Sequence, residues 1–312
     1  MELAEIRLFE PQMAEIDLFT MPDAVGVGEP SVRKQKSYIA GHVTDGSSSF
    51  TFKVNGTTDI TVSVDEGGWW YWEVDRTLTS LYNCFASKTN LDIVEMVCPD
   101  SVTNLRRAFY QCSKISSVSI KGKLEAVTTA EQMFVDCQLL ETLKIANGFA
   151  PNNLSSFLFG CYRVAAADVK NEWFVRGTDI NRFNMNGRLT ALDLSLADNC
   201  ADFQYILQNN SYVTTLNLPN IKANVLFICG SNNNALETVT INSTKSNLSF
   251  AGAKKLTEQS VVNLFNAVAA DDITLTFHAD VFAMIEAQMT AEEGAIYDAY
   301  MDSDYDFNYA SA

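Results

Sequence analysis

Apolar residues in the middle of this chain recur at a fixed interval. Take Cys112 as a reference: Phe109 lies three residues before it, and Ile115, Val118 and Ile120 lie three, six and eight after it. The same offsets give Phe134, Leu140, Leu143 and Ile145 around Cys137, and Leu158, Val164, Ala167 and Val169 around Cys161. They give Phe183, Leu189, Leu192 and Leu194 around Asn186, and Leu207, Val213, Leu216 and Leu218 around Asn210. Lys88 carries Phe85, Leu91, Val94 and Met96, and a looser copy at Asn233 keeps Leu236, Val239 and Ile241. Successive references stand 24, 25, 24, 25, 24 and 23 residues apart, a period that marks stacked structural repeats.

Offsets +6 and +8 have the two-residue spacing of a strand, and the apolar residues at −3 and +3 close a turn over the same interior. Each unit is then one short strand plus an irregular or helical return. It can bury its apolar face only by stacking on its neighbours. This predicts a right-handed solenoid with parallel strands at 93–96, 117–120, 142–145, 166–169, 191–194, 215–218 and 238–241. The reference column belongs at the inner edge, where Cys serves as a small hydrophobe, Asn can bond backbone and a lone Lys suits an end. Cys112, Cys137 and Cys161 are therefore expected in one buried column without disulfides. Leu124, Phe149 and Trp173 each lie twelve after their own reference, so Trp173 reads as core rather than as a ligand platform.

Ahead of the repeats, Phe50–Val54, Ile60–Val64 and Trp69–Val74 read as three strands of a small antiparallel sheet, joined by turns at Asn55-Gly56 and Glu66-Gly67-Gly68. Strand alternation sends Trp70, Trp72 and Val74 to one side and Trp69 and Tyr71 to the other, where the latter two can stack on a sugar or a partner. After the repeats, a helix over 257–270, a strand over 273–277 and a second helix from Asp280 are expected, with Thr290-Ala-Glu-Glu293 as a capping box opening a further helix or turn. Asp302, Asp304 and Asp306 have the first spacing of a calcium loop. Phe307 stands where that loop needs glycine, so a solvated acidic tail without metal is expected.

The run Ala108-Phe109-x-x-Cys112-x-x-Ile115-x-x-Val118-x-Ile120 resembles the BspA-like leucine-rich repeats of bacterial surface and phage virion proteins. It departs from their pattern in lacking the proline that follows the strand, apart from Pro99 and Pro219. The resemblance implies an α/β solenoid: a leucine-rich repeat of about seven 24-residue units over 81–245, with an N-terminal antiparallel β cap over 34–80 and a C-terminal α/β helical cap with its acidic tail over 246–312. Residues 1–33 hold near copies, Ala4–Phe9 and Ala14–Phe19, and read as a docking arm and linker. Ile6, Leu8, Phe9, Ile16, Leu18 and Phe19 would meet a partner surface there.

Charge narrows the partners. With 22 Lys+Arg against 38 Asp+Glu the net charge is −16, which repels phosphate backbones and anionic membranes, so no nucleic-acid partner is expected. No membrane insertion and no secretory leader are expected either, because charges interrupt every apolar run. His42 and His278 lie far apart and outside the repeats, and no glycine-rich phosphate loop occurs, so no catalytic residues, metal or cofactor are expected.

The outward strand columns read Ile93, Ser117, Thr142, Ala166, Ala191, Thr215, Thr238 at +5 and Glu95, Ser119, Lys144, Asp168, Asp193, Asn217, Thr240 at +7. This small, mildly polar face lacks aromatic anchors, so contact through it should be broad and weak, or with another copy of the chain. The resemblance implies a non-enzymatic structural and binding protein: a phage virion component (fibre, decoration or tail-associated) in a homo- or hetero-oligomer, its arm on other virion proteins and its repeats toward a host protein or glycan. A bacterial cell-surface adhesin and a cytoplasmic protein-binding scaffold are the alternatives.

Overall fold

The computed structural model describes residues 36–74, 77–185, 187–201, 204–222 and 235–312. Four strands precede the repeats: β1 (Tyr38–Val43), β2 (Ser49–Val54), β3 (Thr58–Ser63) and β4 (Trp69–Glu73). The repeats supply β5 (Leu91–Cys98), β6 (Ser117–Gly122), β7 (Thr142–Ile145), β8 (Ala191–Asp193), β9 (Thr215–Ile221) and β10 (Thr238–Thr244). Together the repeats form a β-solenoid of about seven turns with few helices.

The strands pair in parallel and in the predicted register, Val94 opposite Val118 and Val118 opposite Leu143, then Leu192 opposite Leu216 and Leu216 opposite Val239. The residues at +6 are fully buried except in one turn. That exception is a correction: 166–169 is not a strand. Ala166–Asp168 forms a single 3-10 turn, and Ala167 points to solvent instead of inward. Alanine has a poor strand propensity and no bulk with which to fill the interior at +6. Trp173 fills it instead, buried at ring-centroid distances of 5.6 Å from Phe149 and 5.8 Å from Phe157. The parallel sheet is thereby split into β5-β6-β7 and β8-β9-β10.

Apart from the 3-10 helix Asn171–Phe174, the described returns are neither helical nor irregular. Each is a chain of tight turns in which the residues at −5 and −1 take left-handed backbone: Asn83 and Ser87, Arg107 and Gln111, Gln132 and Asp136, Ser156 and Gly160, Tyr205 and Asn209, with φ from 53° to 70°. Non-glycine residues in that region cost about 1–3 kcal/mol each and persist only when surrounding structure over-determines them. Here the surroundings are a hydrogen-bond ladder. Leu81, Asn83, Phe85 and Ser87 donate N–H to the carbonyls of Asn104, Arg106, Ala108 and Tyr110 in the next return, at 2.7–3.2 Å. The intervening N–H groups close on their own return, as Cys84 does on Leu81 at 3.0 Å. Backbone demand inside the coil is thus met without a helix.

One return is out of step. Phe134 and Asp136 bond to Phe157 and Phe159, but Leu158 and Gly160 bond to Phe183 and Met185. The column of Phe85, Phe109, Phe134 and Leu158 therefore continues in Asn184, and the cysteine column continues in Gly187. The expected reference, Asn186, lies outside the described residues, as does Asn233.

The N-terminal sheet also differs from expectation. β2 and β3 form an isolated antiparallel hairpin, whereas β4 pairs with β1, and β1 pairs antiparallel with β5. Beyond the repeats come β11 (Leu248–Phe250), α1 (Glu258–Asn266), β12 (Ile273–Phe277), α2 (Ala279–Ala291), α3 (Ala295–Met301) and β13 (Phe307–Ser311). Thr257 caps α1, its side chain accepting the N–H of Ser260. Thr290 lies in the last turns of α2 rather than opening a helix, and α3 starts after Gly294 with no side-chain cap. The chain end is not a free acidic tail, because β13 pairs in parallel with β12 and buries Phe307.

Candidate functional site

The pairing of β1 with both β4 and β5 joins the aromatic strand to the solenoid, in one sheet of order β4-β1-β5-β6-β7. Its registers set out continuous outward rows. Trp69 lies opposite His42, His42 opposite Ile93, Ile93 opposite Ser117 and Ser117 opposite Thr142. The next row runs Tyr71, Ala40, Glu95, Ser119, Lys144, and the third Glu73, Tyr38, Val97, Lys121. The small polar strand columns read from the sequence therefore end on aromatics.

Alternation in β4 works as expected: Trp70 is 3% exposed, whereas Trp69 is 49% and Tyr71 54% exposed. The inward side is anchored by Trp70, which stacks on Phe50 at 4.9 Å. Gly41 makes this possible, since a Cβ there would stand 2.5 Å from the Trp70 ring and 2.6 Å from the Ile93 carbonyl. Asp65 sets the start of β4, its Oδ1 accepting the N–H of Gly67 at 2.9 Å and of Trp69 at 2.8 Å. On the outward side Trp69 leans on His42, ring centroids 4.9 Å apart and tilted 52°, and Tyr71 stacks on Tyr38 at 5.6 Å.

Beside these rings lies a carboxylate held in place. The Tyr38 hydroxyl donates to Glu95, and the Lys121 ammonium donates to the same oxygen at 3.2 Å. Burial alone would raise the Glu95 carboxyl; the hydroxyl and the ammonium more than offset it and hold it below the usual range. Burial, then the Glu95 hydrogen bond, pushes the Tyr38 phenol up, so it stays a neutral donor. The arrangement combines stacking surfaces, a fixed ionised acceptor and an ammonium on an open face.

No protein-family model, curated protein or solved structure matches this chain.

Among the described residues the surface carries open hollows elsewhere, including one of about 470 Å³ against Ala287, Gln288, Ala291, Glu293 and Gly294 and one of about 330 Å³ around Thr240, Asn242, Asn263 and Asn266. Among the described residues no group of three or more His, Cys, Asp or Glu is placed to hold a metal ion, and no helix is long and apolar enough to cross a membrane.

The structure places Trp69 and Tyr71 on one face as expected. Ile6, Leu8, Phe9, Ile16, Leu18 and Phe19 lie outside the described residues. The sequence reading missed Tyr38 and His42, because it did not recognise β1. The signal was present in the alternation of Tyr38, Ala40 and His42 with Ile39, Gly41 and Val43, the latter three buried.

Cys112, Cys137 and Cys161 are buried, free and in one column. Each thiol donates to the carbonyl of a phenylalanine in the preceding turn, Phe85 at 2.9 Å, Phe109 at 3.0 Å and Phe134 at 3.0 Å. Burial raises all three, Cys112 to about 12. These thiols are structural donors and are not nucleophiles at neutral pH.

Proposed function

We propose that the chain is a non-catalytic structural and binding protein that displays its sheet face to a partner, most economically as an outward-facing phage virion component. In this reading the repeats are of the leucine-rich type, with 34–80 closing their start and 246–312 closing their end. The observation that carries it is the sharing of one face by exposed Trp69 and Tyr71 and the polar columns of β5, β6 and β7. A half-exposed aromatic pair at the rim of a broad, rigid sheet is the chemistry of recognition. At the start, Phe50 and Phe52 lie within 6.3 Å and 5.4 Å of the Phe85 ring, covering the first coil. At the end, Ser260 of α1 accepts the N–H of Val239 at 3.0 Å and so ties the helix to the last strand.

The duplicated apolar triplets of residues 1–33 serve as the docking arm to other subunits. Deleting residues 2–24 tests this: the melting curve of the isolated chain is expected to stay unchanged while light scattering and particle incorporation show loss of assembly. A clear loss of thermal stability would instead mean that the triplets fold back on the chain's own sheet.

A further inference from the structure

We infer that the face around Trp69, Tyr71 and Glu95 is a binding site for a neutral, hydroxyl-rich oligosaccharide. This rests on the display reading above and specifies what is displayed to. Two aromatic side chains on alternate residues of β4 are about half exposed, 49% and 54%, although the other side of the same strand supplies the packing that β4 needs. Neighbours on β1 buttress them, His42 against Trp69 and Tyr38 against Tyr71. Rings so buttressed lose little side-chain freedom on binding, which favours stacking against the C–H faces of sugar rings.

Stacking alone does not select a sugar from an apolar peptide; the polar groups do. Glu95 lies across Ala40 from Tyr71, two strand spacings or about 10 Å away, within the span of a short saccharide. Tyr38 and Lys121 keep it ionised and fixed in position, so it is a ready acceptor for hydroxyls. Ala40, between them, is the smallest side chain in the middle row, and the Tyr38 ring spans from Tyr71 to Glu95 across it. The sign of the ligand follows from charge. Glu73 and Glu95 on this part of the sheet are paired with Lys36 and Lys121, so no unpaired cation is offered by these pairs to an anionic sugar, and the net charge of −16 disfavours sulfated or carboxylated glycans.

The test is calorimetric titration of the full chain with chitohexaose, cellohexaose, maltohexaose and mannohexaose, and with a heparin hexasaccharide as the anionic counterpart. At least one neutral hexasaccharide is expected to bind with Kd below about 1 mM. Trp69→Ala/Tyr71→Ala is expected to weaken it at least tenfold with an unchanged melting curve, while Tyr212→Ala, which removes an exposed ring elsewhere, leaves it unchanged. Glu95→Gln should weaken it less than the aromatic pair. The assignment is overturned if no neutral hexasaccharide binds, if the double variant binds as well as the parent, or if heparin binds as tightly as the neutral sugars. A protein that loses a protein partner on Trp69→Ala/Tyr71→Ala yet binds no sugar overturns the glycan assignment alone and leaves the display reading standing.

Discussion

The turns built on Cys112 and Cys137 and the turn that follows Cys161 share one sequence period, yet only the first two fold to a common plan. All three thiols reach back to the previous turn, but only in the regular turns is a bulky residue at +6, Val118 or Leu143, buried in a strand. In the next turn Ala167 occupies +6, the strand gives way to a 3-10 turn, and Trp173 takes over the interior. The following return then runs one residue late. Gly187 stands in the cysteine column because the Asn184 side chain already fills it: a Cβ on Gly187 would sit 1.8 Å from the Asn184 oxygen. Period alone therefore does not make a repeat. The strand needs bulk at +6, and where bulk is missing the coil reorganises locally while the ladder of returns carries on.

The largest effect that separates the two regions is expected at the thiol column. Cys137→Asp buries a charge that nothing nearby can pair, and should cost about 3–5 kcal/mol in chemical denaturation. A surface-like response would remove the column from the account. Alkali probes the same column without mutation. Burial raises Cys112, Cys137 and Cys161 of the column, and Cys84 and Cys98 outside it, above their ordinary value of 9.0, so the folded state keeps them neutral. Their contribution is complete below pH 9.0 and is lost as pH rises toward the folded values. Each thiol contributes up to about 1.4 kcal/mol per pH unit in that window. Melting temperature should fall steeply above pH 9.0, and less steeply in Cys137→Ala, once both are normalised to pH 7.

The irregular turn should respond in the opposite sense. Asn184 is buried with neither polar atom of its side chain hydrogen-bonded, between Leu158 and Leu207 in its column. Asn184→Leu removes an unmet polar demand and should raise stability by about 1 kcal/mol. Gly187→Ala should lower it by about 1–3 kcal/mol through overpacking. The smallest effect is at +6 itself: Ala167→Lys should stay within about 0.5 kcal/mol, because this side chain is exposed. A large loss there would mean that Ala167 faces inward like Val118 and Leu143.

Much of the coil was legible because its cause is local and repeated. The inward columns, the unpaired cysteines and the core placement of Trp173 follow from apolar spacing alone. The return geometry was not, since Asn83, Arg107, Gln132 and Tyr205 adopt left-handed backbone for the sake of the neighbouring turn's carbonyls and not by propensity. The candidate site was half legible. Strand alternation gave the orientation of Trp69 and Tyr71, but their joining to the solenoid depends on β1 pairing with β5 across some fifty residues. A Gly-His pair inside that strand hides it from pattern reading. The end of the chain failed for a similar reason, as Phe307 is recruited by β12 from within an acidic run.

The central claim is that β1 bridges β4 and β5, making the aromatic strand and the solenoid one face. Cross-linking reads this directly. His42 lies opposite Ile93, and cross-strand partners fall within the Cα separation of about 4.4–6.8 Å that a disulfide accepts. His42→Cys/Ile93→Cys should form a disulfide quantitatively on mild oxidation, with the six described native cysteines buried and silent. His42→Cys/Ser117→Cys, one strand further away, should not. Persistent free thiols in the first pair, or equal cross-linking in both, would contradict the shared face.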